Sequence, residues 1–216
     1  MLASIALLLC LACTSCAGQH PNLSEYRNVS THTVLRLGMD QAEVEQLLGT
    51  GTFFDWDAML NEKNPGRNSQ FMNEMRLQKG MAEYDYGEDE DYIFITYRHG
   101  TVLSLTVYPP DMETLLARSW WRNGFDLGYG ASKEDLVAAC GEPSDTIDTV
   151  QAGPYFLSIL TYYYDASGAL LERYEGASMS MEYCIEKESN AMISYSVTSL
   201  LEEETERGDS QVDSPG

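Results

Sequence analysis

Basic residues are scarce in this sequence. Lysine and arginine number 13 against 34 aspartates and glutamates, a formal net charge of −21. A surface of that sign repels phosphates and anionic headgroups, so nucleic-acid binding is excluded as a function class. Histidine is scarcer still, and His20, His32 and His99 show no metal-ligand spacing. There is no glycine-rich phosphate loop and no nucleophile elbow, so no catalytic residue, metal or cofactor is assigned and the chain reads as a non-enzyme. No apolar run reaches the ~20 residues that span a bilayer. Beyond residue 16 only two cysteines remain, Cys140 and Cys184.

What the chain does have starts with an uncharged stretch. Residues 1–15 hold no charge of either sign, and Met1 to Leu9 are apolar apart from Ser4. Cys10, Leu11 and Ala12 extend the run to the length of a signal-peptide h-region, although no basic residue precedes it. The small residues that follow, Thr14-Ser15-Cys16, resemble the end of a bacterial lipobox. That resemblance implies a lipoprotein signal peptide over residues 1–15 and a lipid on Cys16, with Cys13 the competing position. It also implies a mature chain tethered to the outer side of a bacterial membrane by lipid alone. Residues 16–30 are polar and aperiodic and read as a spacer. Residues 202–216 hold one apolar residue, Val212, and are expected to stay disordered.

Between these ends lies an internal repeat. Gly38-Met39-Asp40-Gln41-Ala42-Glu43-Val44-Glu45-Gln46-Leu47-Leu48-Gly49 aligns with Gly130-Ala131-Ser132-Lys133-Glu134-Asp135-Leu136-Val137-Ala138-Ala139-Cys140-Gly141. Each block reads as a short helix. Asp40 and Ser132 are N-caps, and Glu43 and Asp135 at N3 can reach back to the cap amide, Asp135 more weakly for its shorter side chain. Val44, Leu47 and Leu48 form one apolar stripe, repeated by Leu136, Ala139 and Cys140. Gly49 and Gly141 close the helices in a left-handed conformation, and Pro143 blocks continuation.

Strands follow each helix. In the first half they are expected at 82–86, 92–98 and 101–108, with His99-Gly100 as a tight turn. In the second half they are expected at 156–165, 169–174, 178–186 and 191–198. Residues 111–121 are expected to form a helix, and residues 52–80 to lengthen the link to the first sheet. Glu88-Asp89-Glu90-Asp91 reads as a solvated acidic turn. The fold class is therefore α+β: two tandem units, 31–110 and 111–201, each with short helices packed on one face of an antiparallel sheet.

The capped helix ending in "LG" or "CGEP", followed by antiparallel strands and repeated in tandem, resembles the β-lactamase inhibitory protein family. It is also similar to the single-unit SmpA/OmlA-type envelope lipoproteins. The resemblance implies a binding surface on the open sheet face. Strand alternation assigns Ile93, Ile95, Tyr97, Leu103, Leu105, Val107, Met179, Met181, Tyr183, Ile185, Ile193, Tyr195 and Val197 to the core. It puts Tyr92, Phe94 and Tyr108 on the opposite face, with Ser180, Glu182 and Cys184 in the second unit. Trp120-Trp121 falls where the units join. Tyr92, Phe94, Tyr108 and Trp121 are the candidate residues for a protein or peptide partner at the cell envelope, since aromatic side chains offer large area with a polar tip. The alternatives are that these aromatics are cross-strand pairs that only stabilise the sheet or lie under a loop, and that the chain is a structural lipoprotein scaffolding an envelope complex through loops or tail. Cys184 faces outward while Cys140 lies on the helix stripe, so a disulfide between them is not expected.

Overall fold

The computed structural model describes residues 21–63, 72–87, 92–108 and 120–200. The lipobox positions Cys13 and Cys16, the acidic turn 88–91, most of the helix expected at 111–121 and the tail 202–216 lie outside these. The described elements in chain order are β1 (Glu25–Asn28), β2 (Val34–Arg36), α1 (Gln41–Leu48), β3 (Thr52–Phe53), α2 (Trp56–Lys63), α3 (Met72–Gln78), β4 (Met81–Tyr86), β5 (Ile93–Arg98), β6 (Thr101–Val107), β7 (Trp121–Arg122), α4 (Lys133–Cys140), β8 (Asp145–Ala152), β9 (Tyr155–Tyr164), β10 (Leu170–Leu171), β11 (Met179–Glu186) and β12 (Ala191–Ser199).

The fold is α+β and mostly β. One 9-stranded sheet runs β10-β9-β11-β12-β6-β5-β4-β3, with β8 sharing the outer edge of β9. All its described pairings are antiparallel. A 3-stranded sheet, β2-β1-β7, packs against it. The two halves of the large sheet meet where β6 pairs with β12, Leu105 opposite Val197 and Thr106 opposite Ser196.

The two glycine-bracketed segments sit in matching settings. The Gly38 amide donates to Val102 and the Val102 amide returns a bond to Met39, both at 2.8 Å. The Gly130 amide donates to Met192 at 3.0 Å, and the Met192 amide returns to Ala131 at 2.8 Å. Asp40 bridges Thr101, and Ser132 bridges Ala191. Both hairpins that follow carry a register shift one turn from their tips, after Thr96 in β5 and after Cys184 in β11. That shift moves Leu103 out of the strict alternation, which is why it is half-buried while Leu105 and Val107 are buried.

Both helices are capped as their sequences predict, with two differences. The Ser132–Asp135 box is the fuller one: the Ser132 amide donates to Asp135 Oδ2 at 2.9 Å and the Asp135 amide to Ser132 Oγ at 3.1 Å. In α1, Glu43 accepts from the Asp40 amide at 3.2 Å. A serine hydroxyl can also donate to the N3 carboxylate, at 2.8 Å, whereas Asp40 offers Glu43 a second negative charge. The closing residues Gly49 and Gly141 have φ of 83° and 87° with ψ of −172° and −170°, an extended positive-φ conformation open essentially to glycine alone, not the expected left-handed helical one.

The stretch read as a spacer supplies β1. Tyr26 is fully buried and stacks on Tyr195 with ring centroids 5.3 Å apart. The small sheet therefore shares with α1 and α4 the face that carries Ile93, Ile95, Tyr97, Met181, Tyr183, Tyr195 and Val197. A lone tyrosine among polar residues shows no period, so its burial was not legible. This core is rich in tyrosine. Asn123 Nδ2 donates to Tyr183 Oη at 2.8 Å, and Tyr195 Oη donates to the Trp121 carbonyl at 2.6 Å. The hydroxyls of Tyr26, Tyr162 and Tyr164 have no hydrogen-bond partner among the described residues.

Candidate docking face

The opposite face of the large sheet is finished differently at its two ends. Over β4 and β5 it is covered. Residues 52–80, expected only to lengthen a link, fold into α2 and α3, and α3 lies against β4. Glu83 points out from β4 on this face yet is 4% exposed. Its carboxylate accepts from Arg76 on α3 and from the indole of Trp56 on α2, and from Thr96 Oγ1 at 3.3 Å. The Arg76 guanidinium lies 5.2 Å from the Trp56 ring centroid. The short helices exist because they have this site to dock on, since pieces of this length do not stand alone in water.

Beside that cover stands an aromatic ridge. Tyr92, Phe94 and Tyr108 come together as strand alternation placed them. Tyr92 and Tyr108 are 5.2 Å apart by ring centroid, and Phe94 is 6.1 Å from Tyr108 and 5.3 Å from Phe54. All three are half-buried. Tyr108 donates to Asp85 at 2.8 Å. Burial raises the Asp85 carboxyl above its usual range, and hydrogen bonds from Tyr108 and Tyr92 pull it back down. Burial, helped by the Asp85 carboxylate, pushes the Tyr92 phenol up to about 12. The ridge is thus packed on itself and on the insertion, and offers only part of its area outward.

Trp121 does not join them. It is 1% exposed, in β7 of the small sheet, on the far side of the large one. A side chain closed into the core presents no surface to a partner. Its neighbour Trp120 is the exposed member of the pair, at 39%.

From β6 to β9 the same face is open among the described residues. One row of paired residues runs Thr161, Glu182, Ser196, Thr106, and then Phe94. The next runs Tyr163, Ser180, Thr198, Ser104. Ser104 Oγ and Thr198 Oγ1 bond to each other at 2.9 Å, which places both on this side. The surface is a low floor of hydroxyl side chains. On one side rises the ridge of Phe94, Tyr92 and Tyr108. On the other, Tyr163 packs edge-on against Tyr174, 5.6 Å away and 59% exposed. Small residues between tall ones make a shallow trough. Glu182 stands exposed in its middle. Strand and side-chain atoms crowd water from its carboxyl and raise its pKa.

A second concavity, about 740 Å³, lies at the other face, between the start of β1 and the ends of β9 and β11. Leu23, Phe125, Leu170 and Met179 line it, and Cys140 and Tyr164 lie at its base. Burial pushes the Cys140 thiol up to about 11, which favours its protonated form near neutral pH. Cys140 and Cys184 are both unbridged. Among the described residues no group of three or more His, Cys, Asp or Glu is placed to hold a metal ion.

No family model matches this chain, and no curated protein matches its sequence. Solved structures that resemble it distantly include the following three. A cysteine-rich secretory protein from Staphylococcus aureus is 8% identical with a TM-score of 0.40. An extracellular protein containing an SCP domain from Bacillus anthracis is 9% identical with a TM-score of 0.41. In both the match covers 76% of this chain and 44% of the other, so the chain spans less than half their length. A candidate beta-lactamase inhibitor protein from Streptococcus mutans is 12% identical with a TM-score of 0.25, covering 74% of this chain and 83% of that one. Likeness at this level assigns no family. No helix among the described residues is long and apolar enough to cross a membrane.

Proposed function

We propose that this chain is an exported bacterial lipoprotein that performs no chemistry and binds a protein or peptide partner in the trough over β6, β12, β11 and β9. In this reading residues 1–15 are the signal peptide and Cys16 holds the lipid. The two halves are copies of one ancestral unit, a reading supported by the matched helix caps, the paired bridges and the two register shifts.

The observation that carries the binding role is the trough itself: a hydroxyl floor between two tyrosine-bearing ridges, outside the core and free of any described element. Tyrosine and serine together are the composition that adaptable binding surfaces favour, the one for rigid contact area and the other for hydrogen bonding. A photo-crosslinking residue at position 196 tests this in intact cells, with position 46 on α1 as the control from the other face. Adducts from 196 and none from 46 are expected. Adducts from 46 alone would overturn the face assignment.

A second reading has support of its own. The floor is polar, and the aromatic residues at its edge spend much of their area on each other. Both features suit a structural lipoprotein whose envelope contacts lie on other surfaces, and adducts from 46 alone are what that reading predicts.

A further inference from the structure

The covered half of the sheet face contains a worked example of docking. There Glu83 receives the Arg76 guanidinium, and the Trp56 ring stacks beside that guanidinium. Carboxylate, cation and aromatic ring together hold the chain's own helices on the sheet. The open half repeats two of those three parts. Glu182 lies at the centre of the trough with Thr161 and Ser196 opposite it on the adjoining strands. Tyr163 stands on the neighbouring strand, its phenol pKa raised first by burial and then by the Asp145 and Glu182 carboxylates, and Tyr174 packs on it. Among the described residues the cation is what is missing. Glu182 has no hydrogen bond or ion pair within the described residues, and the outward positions of β9, β11 and β12 that surround it supply no lysine or arginine.

We infer that the partner seated in the trough presents a lysine or arginine side chain, and that Glu182 is the group that receives it. This rests on the docking-face reading above. The chemistry is that of a charge-assisted hydrogen bond beside an aromatic face, with the cation against the ring of Tyr163. The small floor residues matter as much as the charge. Serine and threonine leave room for a long basic side chain to lie along the strands and reach Glu182. The field of a chain at −21 draws a cationic partner in at long range, while Glu182 fixes where it lands. Binding then replaces the crowding that raises the Glu182 carboxyl with an opposite charge that lowers it.

Selection of phage-displayed, disulfide-constrained loops on the purified chain tests the inference. Recovered loops are expected to share a lysine or arginine, to lose at least about tenfold in affinity for Glu182→Gln, and to be blocked by Ser196→Trp, which fills the floor. Glu142→Gln, the same charge change just past the end of α4 on the other face, is expected to leave affinity within about twofold. The Glu182 carboxyl, followed by NMR titration, is expected to move down when a loop binds. Loops blocked by Ser196→Trp but lacking a basic residue and indifferent to Glu182→Gln would overturn this inference and leave the docking face standing. Equal losses in Glu142→Gln would overturn it too, as general attraction to an acidic protein. Loops indifferent to Ser196→Trp, or none at all, would overturn both.

Discussion

Over β4 and β5 the outward face of the large sheet is occupied by the chain's own helices α2 and α3, which bring Arg76 to Glu83. Over β9, β11 and β12 the same face of the same sheet has, among the described residues, a carboxylate with no cation and a floor of hydroxyls with no cover. The difference follows from sequence length. The first half has residues 52–80 between its helix and its sheet, whereas the second passes from Gly141 through Pro143 into β8 within a few residues. An insertion in one half thus shields a surface that the other half leaves available. The comparison also shows what the surface is suited to hold.

The largest expected effect is on the covered side. Arg76→Ala strands Glu83 as a buried, uncompensated charge and should cost about 3–5 kcal/mol in a denaturant titration. A loss under about 1 kcal/mol would mean that α3 does not close over Glu83. Phe94→Ala removes a half-buried ring between Phe54 and Tyr108 and should cost about 2 kcal/mol. Tyr108→Phe removes one of two hydroxyls serving Asp85, for about 1 kcal/mol, and should raise the Asp85 pKa further.

The open side should behave in the opposite sense. The Glu182 pKa is raised in the folded chain, so ionising it opposes folding. Stability is then greatest below the unfolded carboxyl pKa of about 4.3 and falls as pH rises through the folded value. Glu182→Gln should therefore stabilise slightly at pH 7, by about 0.5 kcal/mol or less given its exposure, and do nothing near pH 3. A clear destabilisation at pH 7 would reveal a partner for Glu182 within the chain.

Much of this fold is written in short-range signals. The capped helices, the His99-Gly100 turn, the inward sets of β5 and β11, and Tyr195 and Val197 of β12 follow from caps, glycines and alternation; past the register shift in that hairpin Met192, not Ile193, joins the core cluster. The trio Tyr92, Phe94 and Tyr108 meets because parity alone decides it. What escaped has a physical reason in each case. Tyr26 is one buried ring in a polar stretch without a period. Strand β8 is exposed along nearly all its length, so no hydrophobic alternation marks it. Trp121 shares its neighbourhood with exposed Trp120, and nothing local says which of two adjacent tryptophans turns inward. The helices α2 and α3 depend on a tertiary contact, Arg76 with Glu83 and Trp56, that spans separate elements. Strand alternation alone therefore leaves the whole outward face open, whereas α2 and α3 close the part over β4 and β5.

Carbene footprinting read by mass spectrometry tests that division most directly. Side chains at 161, 163, 180, 182 and 196 are expected to label strongly, and those at 83 and 96 to stay protected until Arg76→Ala releases α3. Equal labelling of both sets in the unaltered chain would contradict the account.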